Sequence, residues 1–255
     1  MSRSLRKAAI ARKTMLSKLS ELSKLSELSS ERSQVWLNRL DQHRAIAVLR
    51  IDDLTLGLGM AQAVAAGGIR LIEVTWNSAQ PAYLLTKLRE TLSDCTIGVG
   101  TILTLPELRA AIAAGAEFVF SPHYSPALVE AAIAEGIPII PGALTPTEIV
   151  TAWQAGASCV KVFPVAAVGG TAYIRHLRPP LGPIPLIPTG GVTIANAKSF
   201  IEAGAIAVGL AGDLLPQSAI ATQNWSLIQQ RAHTLVQALH PLQSLEQQPG
   251  RHQPK

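Results

Sequence analysis

The apolar positions of this chain fall into short blocks that repeat. Ala-rich stretches with helical spacing close on a glycine and run directly into aliphatic residues: AAGGIRLIEV, AAGAEFVFSP, AEGIPIIPG, QAGASCVKVFP and EAGAIAVGL. The closing glycines are Gly67, Gly115, Gly136, Gly156 and Gly204, separated by 48, 21, 20 and 48 residues. Glycine just past a helix supplies the left-handed residue that ends it, and roughly 21–24 residues make one strand–helix unit with short loops. Each interval of 48 residues therefore holds two units. Filling them in predicts eight strands, near 44–51, 71–76, 96–102, 118–122, 138–143, 159–164, 185–190 and 205–210, each followed by a helical pattern such as PELRAAIAAG or ANAKSFIEAG. Eight alternating units imply parallel strands, and closing them into a ring removes both edges. An open doubly wound sheet fits less well, because it usually has fewer strands and no G-x-G-x-x-G turn follows the first one here. The expected fold is α/β, a single-domain (β/α)8 TIM barrel over residues 34–240.

The two ends do not share this rhythm. In residues 1–33, Leu16, Leu19, Leu22, Leu25 and Leu28 recur every third residue in SKLSEL-type repeats. A step of three drifts by about 60° per repeat round a helix, so these leucines form no stripe. Serine at every third place also weakens a helix. A low-complexity basic tail without fixed structure is the expectation; an organellar transit peptide and a partner-binding helix are the alternatives. Residues 241–255, polar and rich in Pro and Gln, read as a second loose tail.

Composition narrows the function classes. With 48% hydrophobic and 15% charged residues, the chain has material for a large core and too little charge for a disordered protein. Aromatics at 4% leave that core to Ala, Val, Ile and Leu, which suits parallel strands buried on both faces. The net charge of +5 suggests an anionic partner until it is located. Residues 1–33 hold eight basic and three acidic residues, and the remainder holds 14 of each. The neutral body argues against nucleic-acid binding. No apolar run approaches the roughly 18 residues that cross a bilayer, so no membrane partner is expected. Cys95 and Cys159 lie far apart without metal-type spacing and read as buried free thiols in a reducing cytosol. No His/Cys/Asp/Glu cluster has ligand spacing, so no metal or other cofactor is expected.

In barrels of this kind the reacting groups gather at the carboxyl ends of the strands. The polar residues there are Arg50, Glu73, Thr75, Thr101, Ser121, His123, Lys161 and Thr189, with Gly190 and Gly191 beyond. Lys161 is the sharpest signal. Lys87 and Lys198, the other lysines between residues 44 and 215, sit on polar faces of helical patterns, whereas Lys161 interrupts the apolar run CVKVFP. A buried ammonium must be paired or shed its proton, and a neutral amine in an apolar pocket attacks a ketone to give a carbinolamine and then an iminium. The bland alternative is a lysine whose head snorkels to the rim. Glu73, in LIEVT, can neutralise that amine and shuttle protons through a water, or form a plain salt bridge. Thr101, in GVGTIL, can donate to a substrate carboxylate or bond its own backbone. PTGG at 188–191 resembles a turn feeding a helix N-terminus, where backbone amides bind phosphate, with the end of the eighth strand at 208–213 beside it. His123 reads as a rim histidine.

Seven motifs in order carry a family resemblance: IAVLR at 46–50, GGIRLIEVT at 67–75, GVGTIL at 98–103, FVFSPH at 118–123, IPGALTPTE at 140–148, VKVFP at 160–164 and IPTGGV at 187–192. Over roughly residues 35–215 the chain resembles the 2-keto-3-deoxy-6-phosphogluconate (KDPG) and 4-hydroxy-2-oxoglutarate (KHG) aldolases. The resemblance implies a class I, Schiff-base aldolase that yields pyruvate plus glyceraldehyde 3-phosphate or glyoxylate. It implies a small-molecule 2-keto acid substrate carrying a phosphate, a homotrimer, and a cytoplasmic location. Lys161 would be the Schiff-base lysine and Glu73 the acid/base working through water. Arg50 and Thr101 would face the substrate carboxylate or phosphate, and Thr75, Pro122 and Phe163 would line the substrate site. Gly190, Gly191, Gly209 and Gly212 would hold the phosphate. The chain departs from the pattern at Trp76-Asn77-Ser78, where some members place an arginine on the pyruvate carboxylate. It departs again at Val165-Ala166-Ala167, which lacks a Glu found in some members, and at Gly212-Asp213, where a serine is common. A phosphate-binding barrel isomerase or transferase would use the PTGG turn without imine chemistry. A non-enzymatic scaffold for the repetitive head is the remaining alternative.

Overall fold

The computed structural model describes residues 31–239. A helix over residues 31–43 (α1) leads into β1 (Ala45–Leu49). There follow α2 (Leu54–Ala66), β2 (Leu71–Thr75), α3 (Pro81–Thr91), β3 (Thr96–Gly100), α4 (Leu105–Ala113), β4 (Val119–Phe120) and α5 (Pro126–Ala134). The second half runs β5 (Ile139–Ile140), β6 (Gly142–Ala143), α6 (Pro146–Gln154), β7 (Val160–Val162), α7 (Thr171–Leu181), β8 (Leu186–Pro188), α8 (Ile194–Glu202) and β9 (Val208–Leu210). It closes with α9 (Gln217–Ala221) and α10 (Trp225–Leu239).

All eight expected strand positions carry a strand. The fifth is divided by Pro141, which has no N–H to give a ladder. Every pairing is parallel, in a six-stranded sheet of order β5-β4-β3-β2-β1-β9 and a three-stranded sheet of order β6-β7-β8. Pro141 alone separates β5 from β6, and Thr189, just past β8, bridges in parallel to Gly209 of β9.

The alternation of side chains along each strand sorts the interior into two clusters. Ala45, Ala47, Leu49, Ile72, Val74, Ile97, Val99, Val160, Val162, Val208 and Leu210 pack outward on the helices. Ile46, Leu71, Phe120, Ile140, Cys159, Ile187 and Ala207 point the other way and converge on one another. Counting by two along this inner face gives Glu73 and Thr75 after Leu71, and Lys161 and Phe163 after Cys159. The polar residues of interest are thus the inward continuation of an apolar column, at its carboxyl end.

The amino end of that column is closed by α1. Trp36 is buried, stacks on Phe118 with ring centroids 4.6 Å apart, and donates its indole N–H to the Cys159 sulfur at 3.1 Å. Leu40 is buried beside it. The helix begins at residue 31, so residues 31–33 belong to the body and not to the expected tail: Arg32 donates to the Gly136 carbonyl at 2.7 Å, and the Ser33 and Ser158 hydroxyls are 3.0 Å apart. The expected tails at 1–30 and 241–255 lie outside the described residues. Truncating Trp36 to Ala is expected to cost about 3–5 kcal/mol of stability, as for other buried large aromatics, read as a lower midpoint in urea unfolding.

Helix boundaries follow local chemistry. Thr104, Thr145 and Thr193 each cap a helix through a reciprocal box with Glu107, Glu148 and Asn196, respectively. The two backbone N–H groups that Leu144 and Thr145 give to Glu148 hold its carboxyl below the usual range. Gly115, Gly136, Gly156 and Gly204 take the left-handed conformation expected of closing glycines. After α2 the expectation is off by one: Gly67 stays right-handed at φ −77° and Gly68 turns at φ 101°.

Candidate active site

A cavity of about 420 Å³ opens at the carboxyl ends of the strands. It is lined by every residue expected in the site: Lys161, Glu73, Arg50, Thr75, Thr101, Pro122, Phe163, Gly190, Gly191, Gly209 and Gly212. Ser121 and His123 are not among its lining; the Ser121 hydroxyl and His123 Nδ1 lie 3.2 Å apart. Val48, Thr189, Val192, Thr193, Ala211 and Asp213 complete the wall. Val48 was findable by parity, two residues on from inward Ile46. A second cavity, about 430 Å³, lies under α1 at the opposite ends of the strands. Its charges are largely engaged: Arg39 approaches Glu117 at 3.7 Å, and Arg32 is spent on backbone carbonyls.

Lys161 sits in β7 between Gly142 of β6 and Ile187 of β8, and only 6% of it is exposed. Its Nζ lies 5.0 Å from the centroid of the Phe163 ring and 5.6 Å from that of Phe120, within reach of cation–π attraction. Among the described residues no carboxylate comes within 4 Å of it.

Glu73 sits in β2 and is 2% exposed. Its Oε1 is buried without a hydrogen-bond partner, a costly state for a carboxylate oxygen. Burial pushes the Glu73 carboxyl above its ordinary value, against the pull of the Lys161 and Arg50 charges. The acid and the amine therefore feel each other's charge across one cavity without forming an ion pair, which leaves space for a reacting molecule or a water between them.

Glycine makes this possible. A Cβ at Gly100 would fall 1.7 Å from Glu73 Oε1, so the neighbouring strand carries no side chain where the carboxylate reaches inward. Gly100→Ala is expected to displace that carboxylate by more than 1 Å and lower turnover by about 10²-fold, a typical consequence of such a misplacement. Steady-state assays beside an unfolding curve check it.

The rest of the rim is held by neighbours. The Thr75 hydroxyl lies 3.0 Å from Ser78 Oγ, which also accepts the Ile51 N–H. Ser78, in the segment after β2, thus fastens the loop after β1, where Arg50 stands. Among the described residues Arg50 has no ion pair, so its guanidinium is open to an incoming carboxylate. Thr101 adopts a left-handed φ of 62°, a strained conformation for a β-branched residue, and lines the cavity in that state. Gly190 and Gly191 have φ of 82° and 93°. Side chains there would meet the Phe163 ring at 3.0 Å and the Ala166 Cβ at 2.3 Å. Among the described residues no group of three or more His, Cys, Asp or Glu could hold a metal, and no helix is long and apolar enough to cross a membrane.

A parallel α/β fold carrying a buried amine and a buried, partnerless carboxylate in one cavity is the equipment of an imine-forming lyase. A family model described as KDPG and KHG aldolase matches residues 37–231. The chain belongs to the KDPG and KHG aldolase family. It is 33% identical over 189 residues to a 2-dehydro-3-deoxy-phosphogluconate aldolase of Treponema pallidum (strain Nichols), covering 74% of this chain and 90% of that one. To a KHG/KDPG aldolase of Escherichia coli (strain K12) it is 28% identical over 192 residues, with 75% and 90% covered. Among solved structures, it is similar to KDPG aldolase from Legionella pneumophila with pyruvate captured at low pH as a covalent carbinolamine intermediate. That match has a TM-score of 0.72 and 31% identity, and it covers 77% of this chain and 95% of that chain.

Proposed function

We propose that this protein is a class I aldolase that cleaves a 4-hydroxy-2-keto acid to pyruvate and an aldehyde through an imine on Lys161. The observation that carries the reading is the shared cavity. An amine and a carboxylate, both buried, line it without pairing, and one carboxylate oxygen has no protein partner. By the names of the relatives, the candidate substrates are 2-keto-3-deoxy-6-phosphogluconate, giving glyceraldehyde 3-phosphate, and 4-hydroxy-2-oxoglutarate, giving glyoxylate.

The Lys161 amine adds to the C2 ketone to form a carbinolamine, which loses water to give a protonated imine. Glu73, directly or through one water, takes the proton of the C4 hydroxyl. The C3–C4 bond then breaks, its electron pair passes into the imine to leave an enamine, and the aldehyde departs. Protonation of the enamine at C3 and hydrolysis of the imine release pyruvate and return the amine. Arg50 and Thr101 would hold the carboxylate beside C2, with Thr75, Pro122 and Phe163 forming the walls. Gly190, Gly191, Gly209 and Gly212 would face the tail of the substrate.

The same reading takes residues 34–240 as one catalytic domain and joins the two sheets into a single (β/α)8 barrel, through Pro141 on one side and the Thr189–Gly209 bridge on the other. It also takes the assembly as a homotrimer and the location as cytoplasmic, where two free buried thiols stay reduced. The test is intact-mass analysis after borohydride reduction in the presence of pyruvate. One reduced pyruvate adduct per chain, mapped to the Lys161 peptide, is expected. An unmodified chain, or an adduct on another lysine, sinks the imine mechanism.

A further inference from the structure

Arg50 stands on the cavity wall, but no helix or strand fixes its direction. Residues 50–53 are neither, and they join β1 to α2. Arg50 is exposed, between the buried residues Leu49 and Ile51. A guanidinium on such a connection is only as well placed as the peptide planes that flank it and the residues that hold them.

Those planes are held from the turn after β2. Ile51 gives its N–H to Ser78 Oγ at 3.0 Å and takes the Ala79 N–H on its carbonyl at 2.7 Å. The first bond acts on the planar peptide that Arg50 and Ile51 share, so it restrains the ψ angle of Arg50 itself. The Ile51 side chain is packed in as well: a Cβ at Gly57 would fall 2.8 Å from its Cγ2.

Ser78 is placed as firmly as the residue it holds. It is buried, its N–H closes a turn on the Thr75 carbonyl at 3.0 Å, and Trp76 N–H ties that turn to the Gly100 carbonyl of β3 at 2.7 Å. Its hydroxyl accepts the Ile51 N–H and has one proton to give, and Thr75 Oγ1 lies 3.0 Å away. The opposite direction would leave the buried Ser78 proton without an acceptor among the described residues, a costly state. Donating to Thr75 keeps a Ser78 lone pair turned towards Ile51.

We infer that Ser78 is a positioning residue: its hydroxyl sets the peptide plane that aims the Arg50 guanidinium at the carboxylate of the 2-keto acid. This rests on the aldolase reading above and says what holds its carboxylate-binding group in place. The substrate carboxylate keeps its charge from ketone to imine to enamine. A misdirected guanidinium therefore weakens binding throughout the reaction and acts on saturation, not on the chemical step.

The experiment follows borohydride adduct formation on the full chain, by intact mass, against the concentration of pyruvate and of pyruvamide, which has the same ketone and no carboxylate. Ser78→Ala is expected to need about tenfold more pyruvate for half-maximal adduct, the scale of one misplaced charge-assisted hydrogen bond. The pyruvamide curve should stay where it is. In an Arg50→Met background the same substitution should add no further shift. Half-saturation does not depend on the fraction of folded protein. A merely structural serine would lower the unfolding midpoint and the amount of adduct, and leave the pyruvate-to-pyruvamide ratio alone. Ser78→Cys, with a weak sulfur acceptor in the same shape, should move that ratio the same way by a smaller factor, and it carries the test if the alanine variant does not fold. A ratio unchanged by these substitutions overturns the role of Ser78, as does a full shift that persists without the Arg50 guanidinium. A wild-type chain that traps neither ketone refutes the aldolase reading beneath it.

Discussion

Lys161→Met is expected to abolish cleavage, lowering kcat/KM by at least about 10⁴-fold, roughly 5 kcal/mol of barrier. The size follows from what the amine supplies. Without a covalent imine there is no electron sink at C2, and the C3–C4 bond would have to break onto an unactivated ketone. Methionine is the informative replacement because it keeps the length and apolar stem of lysine among Phe120 and Phe163. It also removes a buried amine that no carboxylate approaches within 4 Å, so the folded state should be no less stable than wild type. Loss of turnover with an unchanged or higher unfolding midpoint separates a nucleophile from a structural lysine. Should the variant keep activity within an order of magnitude of wild type, Lys161 is packing and the imine must form elsewhere or not at all.

Lys161 and Glu73 were legible in the sequence because a charged residue inside an aliphatic strand needs a reason, and a period of two puts both on the inner face. Parity also explains why Arg50, Glu73, Thr75, Pro122, Lys161, Phe163 and Gly209 meet in one cavity, whereas Thr101, Gly190, Gly191 and Gly212 reach it through the turns beyond their strands; together they come from seven strand ends. The helix over residues 31–43 escaped because its apolar face is short: Trp36 and Leu40 are its buried members, and only their spacing of four marks it. The division of the fifth strand turns on one missing N–H at Pro141, a detail a repeat pattern does not carry. Asp213 was visible as an acid in a glycine turn. Its bonds to Ile194 and Arg231 join parts of the chain 19 and 18 residues away, and no local pattern specifies them. The strained φ of Thr101 is likewise set by its place at the end of β3 and not by its own preference, which is against it.

Glu73→Gln is expected to lower kcat by about 10²–10⁴-fold, the usual worth of a positioned acid–base group, while pyruvate still forms a reducible adduct on Lys161. The amide keeps the shape that Gly100 makes room for, but it cannot take the proton of the C4 hydroxyl. Stability should move in the other direction with pH. Burial raises the Glu73 carboxyl above its unfolded value of 4.5, so over the interval between the two values the folded chain holds a proton that the unfolded chain has released. The stability Glu73 contributes is fully present below about pH 4.5 and is lost as pH rises through the folded-state value. Glutamine carries no such dependence. Measured by urea unfolding, the variant should therefore gain on wild type between pH 4 and pH 7. A difference that shrinks over that interval would mean that attraction to Lys161 and Arg50 outweighs desolvation.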